Sequence, residues 1–247
     1  MIFTIARKEL RMLFCSPLAW VLLTVVQILL TWVFLGRLDA FLQVQPQLMQ
    51  IANPPGFTEI IVSPVFGLAA ILLLMIIPLL TMRQLAEERK NHTLTLLISA
   101  PISVAEIVIG KFLGLMFFLL GVIVLTVVLS ASLLVGGTLD FGLLISGAAG
   151  LFLMVCCFVA LGLYVSSLTA QPVIAAVGVL GVLMGFWVID LVASDYEEWM
   201  QVVSIFRHFE QFNNGLVDTF SIAYFILFTT LFLLLTIRHL DGERLHG

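Results

Sequence analysis

Apolar stretches long enough to cross a lipid bilayer recur along this chain, and they constrain its fold more than any other feature. A hydrocarbon core about 30 Å thick requires roughly 20 apolar residues in a helix, because each residue adds about 1.5 Å. Six stretches approach or exceed that length. We expect membrane-spanning helices at residues 18–36, 62–82, 112–136, 141–167, 172–192 and 221–237.

The composition indicates the same class of protein. Of 247 residues, 62% are hydrophobic and 11% are charged, and the mean hydropathy is +1.19. Soluble domains have about 45–50% apolar and about 25% charged residues, so the soluble class is excluded. We expect one all-α transmembrane domain over residues 1–247. The net charge of −4 and the lack of a polybasic run give no indication of nucleic-acid binding.

Residues 2–15 predict an amphipathic helix lying on the inner membrane surface. At 100° per residue its apolar face holds Ile2, Ile5, Ala6, Leu10 and Leu13. The opposite face holds Thr4, Arg7, Lys8 and Arg11. Glu9 falls in the middle of the apolar face, where a carboxylate needs a partner. We expect either an ion pair with a basic residue of segment 83–111 or a contact with a partner protein.

The basic residues predict the orientation. With the N-terminus inside, the inner segments hold nine of the eleven: Arg7, Lys8, Arg11, Arg83, Arg89, Lys90, Lys111, Arg238 and Arg244. Only Arg37 and Arg207 fall outside, and this positive-inside bias predicts two cytosolic termini. The first span is long enough to cross and no A-x-A-like site follows it, so we expect it to remain uncleaved.

Segment 83–111 is a polar interruption rich in charge, predicted to lie in the cytosol. Ser103 and Glu106 fit a capping box just after Pro101, so a helix is expected to begin at about Ser103. That helix has no obvious stop before Gly136 and is longer than the bilayer core, so its first turns stand outside the membrane. The apolar run at 94–98 is too short to span, and it either packs under the membrane domain or contacts another protein.

Two outer loops are expected at 37–61 and 193–220. The first contains three prolines and is predicted to be irregular. The second has apolar residues at helical spacing, namely Trp199, Val202, Val203, Phe206 and Phe209. It predicts an interfacial helix or a pair of short re-entrant helices, with an ordinary lid over the ends of the spans as the alternative.

The sequence shows no feature that could supply energy for transport. Asp190, near the outer end of the fifth span, is the one charge within the predicted spans, whereas ion-driven pumps place ionisable groups along their path. No G-x-x-x-x-G-K-[ST] motif occurs, no two histidines have metal-ligand spacing, and three cysteines suggest no disulfide framework. We predict no catalytic, cofactor or metal site on this chain. We expect a partner to supply the energy, and we expect the cargo to be amphipathic if any cargo is transported.

Three blocks in order resemble the permease subunit of an ABC-2 type transporter, and more closely its GldF and NosY-like branch. They are ARKELRMLFCSPLAW (6–20), EERKNHTLTLLISAPISVAEIVIGKF (87–112) and HFEQFNNGLVDTFSIAYF (208–225). The first is similar to the family's R-K-E-L with S-P-x-A, and the second to its E-E-R-x-x-G-T-x-E-x-L-L-x-x-P with G-K. The third is similar to its H-F-x-x-F-x-x-G-x-x-D. Their joint occurrence is more specific than any single block.

The resemblance implies a type V exporter-like transmembrane domain in the bacterial inner membrane. It implies a homodimer, or a pair with a related permease, bound to two cytosolic ATPase subunits that carry ATP and Mg. It assigns ATPase coupling to Glu87, Glu88, Arg89, Thr93, Leu96, Leu97 and Pro101. A periplasm-facing auxiliary membrane partner is also implied, and the residues expected to serve as partner contacts or a gate are Trp199, Phe206, Phe209, Gly215 and Asp218.

Departures from the family pattern affect two blocks. His92 stands where the family commonly has Gly, and Thr95 where it commonly has Glu, so the contact of that Glu is not carried over. Asn214 replaces the more usual Arg before Gly215.

Two other functions compete with export. In one, ATP hydrolysis moves the outer loops to regulate or assemble a periplasmic partner, and no cargo crosses. In the other, Cys156 or Cys157 serves an intramembrane enzyme, but no base or charged orienter lies nearby in sequence.

Overall fold

The computed structural model describes residues 1–48, 56–91, 102–135, 139–193 and 203–246. These residues form helices joined by turns, with no strand among them. The helices are α1 (Ile2–Cys15), α2 (Pro17–Leu48), α3 (Phe57–Thr81), α4 (Ala86–Lys90), α5 (Val104–Ala131), α6 (Phe141–Ser167), α7 (Pro172–Ala193), α8 (Ile205–Asn213) and α9 (Thr219–His246). Six of them, α2, α3, α5, α6, α7 and α9, are long and apolar enough to cross a membrane, which confirms the predicted fold class.

The start of α5 follows the sequence signal closely. The Ser103 hydroxyl accepts a hydrogen bond from the Glu106 N–H at 3.2 Å, and the Glu106 carboxylate accepts one from the Ser103 N–H at 3.2 Å. This capping box satisfies two N–H groups that a helix start leaves without partners. The α-helix ends at Ala131 and continues as a 3₁₀ turn, Ser132–Val135.

Three helices, α2, α3 and α9, extend beyond the predicted spans. The expectation of an irregular loop at 37–61 is wrong for 37–48 and 57–61, which are helical. Leu38 and Phe41 continue the face of α2 that packs against the core, and the Gln43 amide donates to Asp39 one turn earlier at 3.1 Å. Likewise α9 runs to His246, and Leu240 is buried in its polar last turns. Packing therefore extends helices past the apolar boundary.

Helix α6 is the centre of the bundle. It contacts α3, α5, α7, α8 and α9, and Met154, Val155 and Phe158 are fully buried along it. Helices α2, α7 and α9 are the least buried of the six. Their exposed side chains, such as Trp32, Val177 and Leu227, are apolar, as expected of surfaces that meet lipid.

Helix α1 is separated from α2 by a single residue and packs along the first half of α5. Ser16 has extended backbone (φ −82°, ψ 121°), as the residue before a proline prefers, so the chain changes direction there. A Cβ added at Gly110 would lie 2.8 Å from Ile5 Cβ. One added at Gly114 would lie 2.7 Å from Glu9 Cβ and 3.1 Å from the carbonyl oxygen of Ala6. These two glycines let the helices touch backbone to backbone.

We predict that Gly114→Leu displaces α1, because the carbonyl of Ala6 cannot move aside without moving the helix. Overpacking of this kind costs about 1–3 kcal/mol of stability. The measurement is thermal unfolding of the detergent-solubilised protein, followed by the loss of its monodisperse chromatographic peak. Gly121→Leu is the matched control on the same helix, since a Cβ there meets nothing within 4 Å. Equal melting temperatures for the two variants would contradict this packing.

Candidate coupling site

Five parts of the described chain meet at one end of the bundle: α1, residues 82–91, the start of α5, the turn between α6 and α7, and the last turns of α9. We call this the basic end. It carries most of the Lys and Arg residues, including Arg7, Lys8, Arg83, Arg89 and Lys111.

The chain that leaves α3 is fixed to α6 by one hydroxyl. The Oγ of Ser166, which is fully buried, accepts hydrogen bonds from the N–H groups of Leu85 and Ala86 at 3.4 and 3.1 Å. It also donates to the carbonyl of Met82 at 3.4 Å. The turn between α3 and α4 thus satisfies its backbone groups on the end of α6, which fixes where α4 begins.

Lys111 is the central residue of the basic end. Its ammonium lies 2.7 Å from Oε1 of Glu88 and 3.1 Å from Oε1 of Glu9. The side chain of Lys111 is 1% exposed, that of Glu9 2% and that of Glu88 18%. Lys8, which is exposed, lies 3.8 Å from the Glu9 carboxylate. One buried cation therefore joins α1, α4 and α5, and the predicted pairing of Glu9 with a basic residue of segment 83–111 is confirmed.

A second ion pair fixes α4 to the end of α9. Nη2 of Arg89 donates to both carboxylate oxygens of Glu243 at 2.7 Å. His239, one turn earlier on α9, lies 3.6 Å from the same carboxylate. Nη1 of Arg244 donates to the carbonyl of Ile102, just before α5, at 3.4 Å. The polar extension of α9 thus contacts both sides of segment 83–111.

A cleft of about 540 Å³ opens between α1 and the end of α3. Gln84 is 5% exposed, and its Oε1 has no hydrogen-bond partner among the described residues. The lining residues are Lys8, Glu9, Met12, Leu13, Ser16, Arg83, Gln84, Glu87, Glu88, Asn91 and Lys111. The carboxylate of Glu88 borders this cleft.

The opposite end of the bundle is closed by α8. The side-chain amide of Asn213 donates to the carbonyl and the hydroxyl of Ser63 at 2.9 and 2.7 Å. Ser146 donates to the carbonyl of Phe212 at 2.7 Å. The Phe212 side chain lies directly over Gly150, where a Cβ would collide with it. Helix α8 is therefore held to α3 and α6 by neutral hydrogen bonds and close packing.

His208 links α8 to α9 in the same region. Its Nδ1 lies 2.9 Å from the hydroxyl of Ser221, which donates its proton to the side-chain oxygen of Gln211 at 2.7 Å. Nδ1 is consequently the donor of the pair. The imidazole also stacks on Tyr224, with ring centroids 4.5 Å apart. At the other end of α8, Ser204 caps the helix and donates to Asp190, which gives that carboxylate a partner within the chain.

The turn after α8 explains the glycine of the third sequence block. Gly215 has φ +81°, a left-handed conformation that glycine adopts without steric cost. Its N–H bonds to the carbonyl of Phe212 at 3.0 Å, and the N–H of Leu216 bonds to that of Gln211 at 2.9 Å. This pair of bonds is a Schellman motif that ends the helix. Asp218 then caps α9 by accepting from the N–H of Phe220 at 3.2 Å.

A family model described as "ABC-2 family transporter protein" matches residues 3–238. The match includes five candidate spans completely and the sixth as far as residue 238, so it leaves out the last turns of α9. This chain belongs to the ABC-2 transporter family. It is a multi-pass membrane protein of a family whose members are the membrane components of transporters. No curated protein matches the sequence.

In this ABC-2 protein the sequence-predicted coupling residues divide into two groups. Glu87 is about half exposed and lies 4.0 Å from Arg83, whereas the carboxylate of Glu88 faces Lys111 and Arg89 faces Glu243. The predicted residues Thr93, Leu96, Leu97 and Pro101 lie outside the described part of the chain. Of the basic face of α1, Arg7, Lys8 and Arg11 are exposed, as predicted.

The predicted outer residues are also divided. Phe206 and Phe209 are buried within the chain, while Gly215 and Asp218 are exposed. Trp199 lies outside the described residues. Sequence reasoning missed Ser166 and Asn213, because a serine in an apolar span and an asparagine before a turn give no signal of a distant partner. Among the described residues, no group of three or more His, Cys, Asp or Glu could hold a metal ion.

We predict that Lys111→Met is strongly destabilising, because it leaves the buried Glu9 carboxylate with only the exposed Lys8 near it, at 3.8 Å. Breaking a buried pair in this way costs about 3–5 kcal/mol. The double variant Glu9→Gln with Lys111→Met removes the stranded charge and should unfold at a higher temperature than Lys111→Met alone. Lys8→Met, at the exposed neighbour, is the control and should change the melting temperature little. Additive losses in the double variant would contradict a direct pair.

We predict that Gly215→Ala costs about 1 kcal/mol, because a Cβ strains the left-handed backbone there. No atom lies within 4 Å of the added Cβ, so the effect is conformational and not steric. Gly215→Asn should recover most of the loss, since asparagine tolerates this conformation. The same unfolding measurement checks both variants, and an alanine variant as stable as wild type would rule out the strain.

Proposed function

We propose that this chain is the permease subunit of an ATP-driven transporter and that a separate ATPase drives it through segment 83–111 at the basic end. The observation that carries this proposal is the attachment of residues 82–91 to the rest of the protein. They contact α6 through Ser166, α1 and α5 through Lys111, and α9 through Glu243. Glu87, Lys90 and Asn91 meanwhile remain exposed or half-exposed, available to a partner.

The energy source lies outside this chain in our proposal. The sequence contains no G-x-x-x-x-G-K-[ST] motif, and membership of the ABC-2 family implies an ATPase partner, which would carry ATP and Mg. The positive-inside bias supports placing the basic end and both termini in the cytosol of a bacterial cell with the protein in its inner membrane. The exposed Arg7, Lys8 and Arg11 on α1 are suited to anionic lipid headgroups at that surface.

We further propose that two permeases associate, as two copies of this chain or as this chain with a relative. Helix α7 supports this part, because Cβ atoms added at Gly181 and Gly185 would meet nothing within 4 Å. Glycines at that spacing suit close approach of another helix, as Gly110 and Gly114 do for α1. The GldF and NosY-like branch remains our assignment on the sequence blocks.

At the opposite end we propose that the exposed residues, and not the buried ones, contact a partner. Phe206 and Phe209 attach α8 to the bundle, whereas Leu216, Val217 and Phe220 are largely exposed around Gly215 and Asp218. A periplasm-facing auxiliary membrane protein would meet this apolar surface.

An amphipathic exported cargo is our proposal for the substrate class. The buried charges of the described residues are Glu9 and Lys111, and both lie at the basic end. Along the rest of the described spans the buried side chains are apolar or neutral. The lack of buried charge along the spans does not suit an ion path, which supports an amphipathic molecule as the cargo.

The test is co-purification of the chain with its ATPase from cells that express both. Glu87→Arg should reduce the amount of ATPase recovered per permease, because it reverses a half-exposed charge on the proposed contact surface while leaving the Lys111 pairs in place. Arg37→Glu, an exposed reversal at the far end of α2, is the control and should recover the wild-type amount. Equal recovery for Glu87→Arg and wild type would contradict docking at this surface.

A further inference from the structure

We propose that Lys111 is a positioning residue that carries movement of α4 into α1 and α5, with Glu9 as its permanent partner and Glu88 as its releasable one. The inference rests on the proposed function, in which the ATPase moves segment 83–111. Lys111, Glu9 and Glu88 thus have different roles, although each of them makes an ion pair.

The two carboxylates that share Lys111 differ in their surroundings. Glu9 is 2% exposed and sits where α1 touches α5, whereas Glu88 is 18% exposed and borders the cleft. A carboxylate that loses its cation while it remains buried gains no water in exchange, and this is costly. A carboxylate at the edge of a cleft regains water as it turns away. Glu88 is therefore the partner that Lys111 can release.

The charge balance leads to the same assignment. Among the described side chains, the carboxylates of Glu9 and Glu88 both face the Lys111 ammonium, and the exposed Lys8 lies 3.8 Å from Glu9. When Glu88 turns into the cleft, Lys111 and Glu9 remain as a neutral buried pair. When Glu9 separates from Lys111 instead, its carboxylate stays buried with only the exposed Lys8 near it, at 3.8 Å. Only the first rearrangement keeps the interior neutral.

Helices α1 and α5 move as one body at this junction. Gly110 and Gly114 bring the backbone of α1 against α5 with no space for a Cβ, and Lys111 lies between these two glycines. Helix α4 meets that body through the contact of Glu88 with Lys111. A displacement of α4 by a partner therefore pulls on α1 and α5 as long as this contact is formed.

If the cluster had only a structural role, its variants would change the stability of the protein and nothing else. The experiment therefore measures a distance between two helices. The permease and its ATPase are reconstituted in nanodiscs, with Cys15, Cys156 and Cys157 replaced by alanine and spin labels placed on α1 and α7 at Arg7→Cys and Val173→Cys. Both labelled positions are exposed. Trapping the ATPase with ATP and vanadate should change the distance between the labels.

In Glu88→Met we expect loss of most of this distance change, with the ATPase still bound and hydrolysing ATP. Glu88→Gln keeps an acceptor for Lys111 and should retain part of it. Asp241→Met, which removes an exposed carboxylate of α9 at the same end, is the control and should behave as wild type. Glu9→Met should lower the melting temperature more than Glu88→Met does.

The outcomes separate the inference from the proposed function. A wild-type chain that recruits no ATPase contradicts the proposed function and this inference together. If the ATPase binds but vanadate trapping changes the label distance equally in wild type and Glu88→Met, the role of Lys111 alone is overturned. A greater loss of stability in Glu88→Met than in Glu9→Met would likewise overturn the assignment of the two partners.

Discussion

An ammonium group removed from water must be matched by carboxylates, and in this protein that requirement organises one whole end of the bundle. Lys111 is buried on α5, and α1 and α4 each bring a carboxylate to it. The glycines on either side of Lys111 let α1 come close enough for Glu9 to reach. The charge of Lys111 thus acts together with the Ser166 hydrogen bonds and the two glycines to hold α1 and α4 against α5.

The opposite end is built on different chemistry. Helix α8 is attached by the amide of Asn213, the hydroxyl of Ser146 and the imidazole of His208, and each donates to a neutral acceptor. Neutral hydrogen bonds lose little when a charge elsewhere moves, and the Phe212 ring over Gly150 adds close packing. The basic end is thus held largely by ion pairs, whereas the opposite end is held by neutral hydrogen bonds, close packing and the one bond from Ser204 to the Asp190 carboxylate.

Periodicity and local rules predicted much of this fold, because they depend on neighbours in sequence. The capping box at Ser103 could be recognised from the sequence because it is a motif of four residues. Glu9 could be recognised because it interrupts the apolar face of a short amphipathic helix. The ends of α2 and α9 could not, because tertiary packing of Phe41 and Leu240 extends those helices past the apolar stretches. Ser166 was invisible for a similar reason: its partners, Leu85 and Ala86, are about eighty positions away.

Helix α6 supplies the physical connection between the two ends. Near its C-terminus Ser166 binds the backbone of Leu85 and Ala86, and near its N-terminus Ser146 and Gly150 receive α8. At 27 residues it is about 40 Å long, enough to cross the bilayer core without a break. Residues 82–91 are consequently connected to α6 through Ser166 and to α1 and α5 through Lys111. The hydrogen bonds at Ser166 join neutral groups, whereas the Glu88–Lys111 contact joins two charged groups. We therefore propose the ion pair, and not the Ser166 bonds, as the connection that changes when a partner binds.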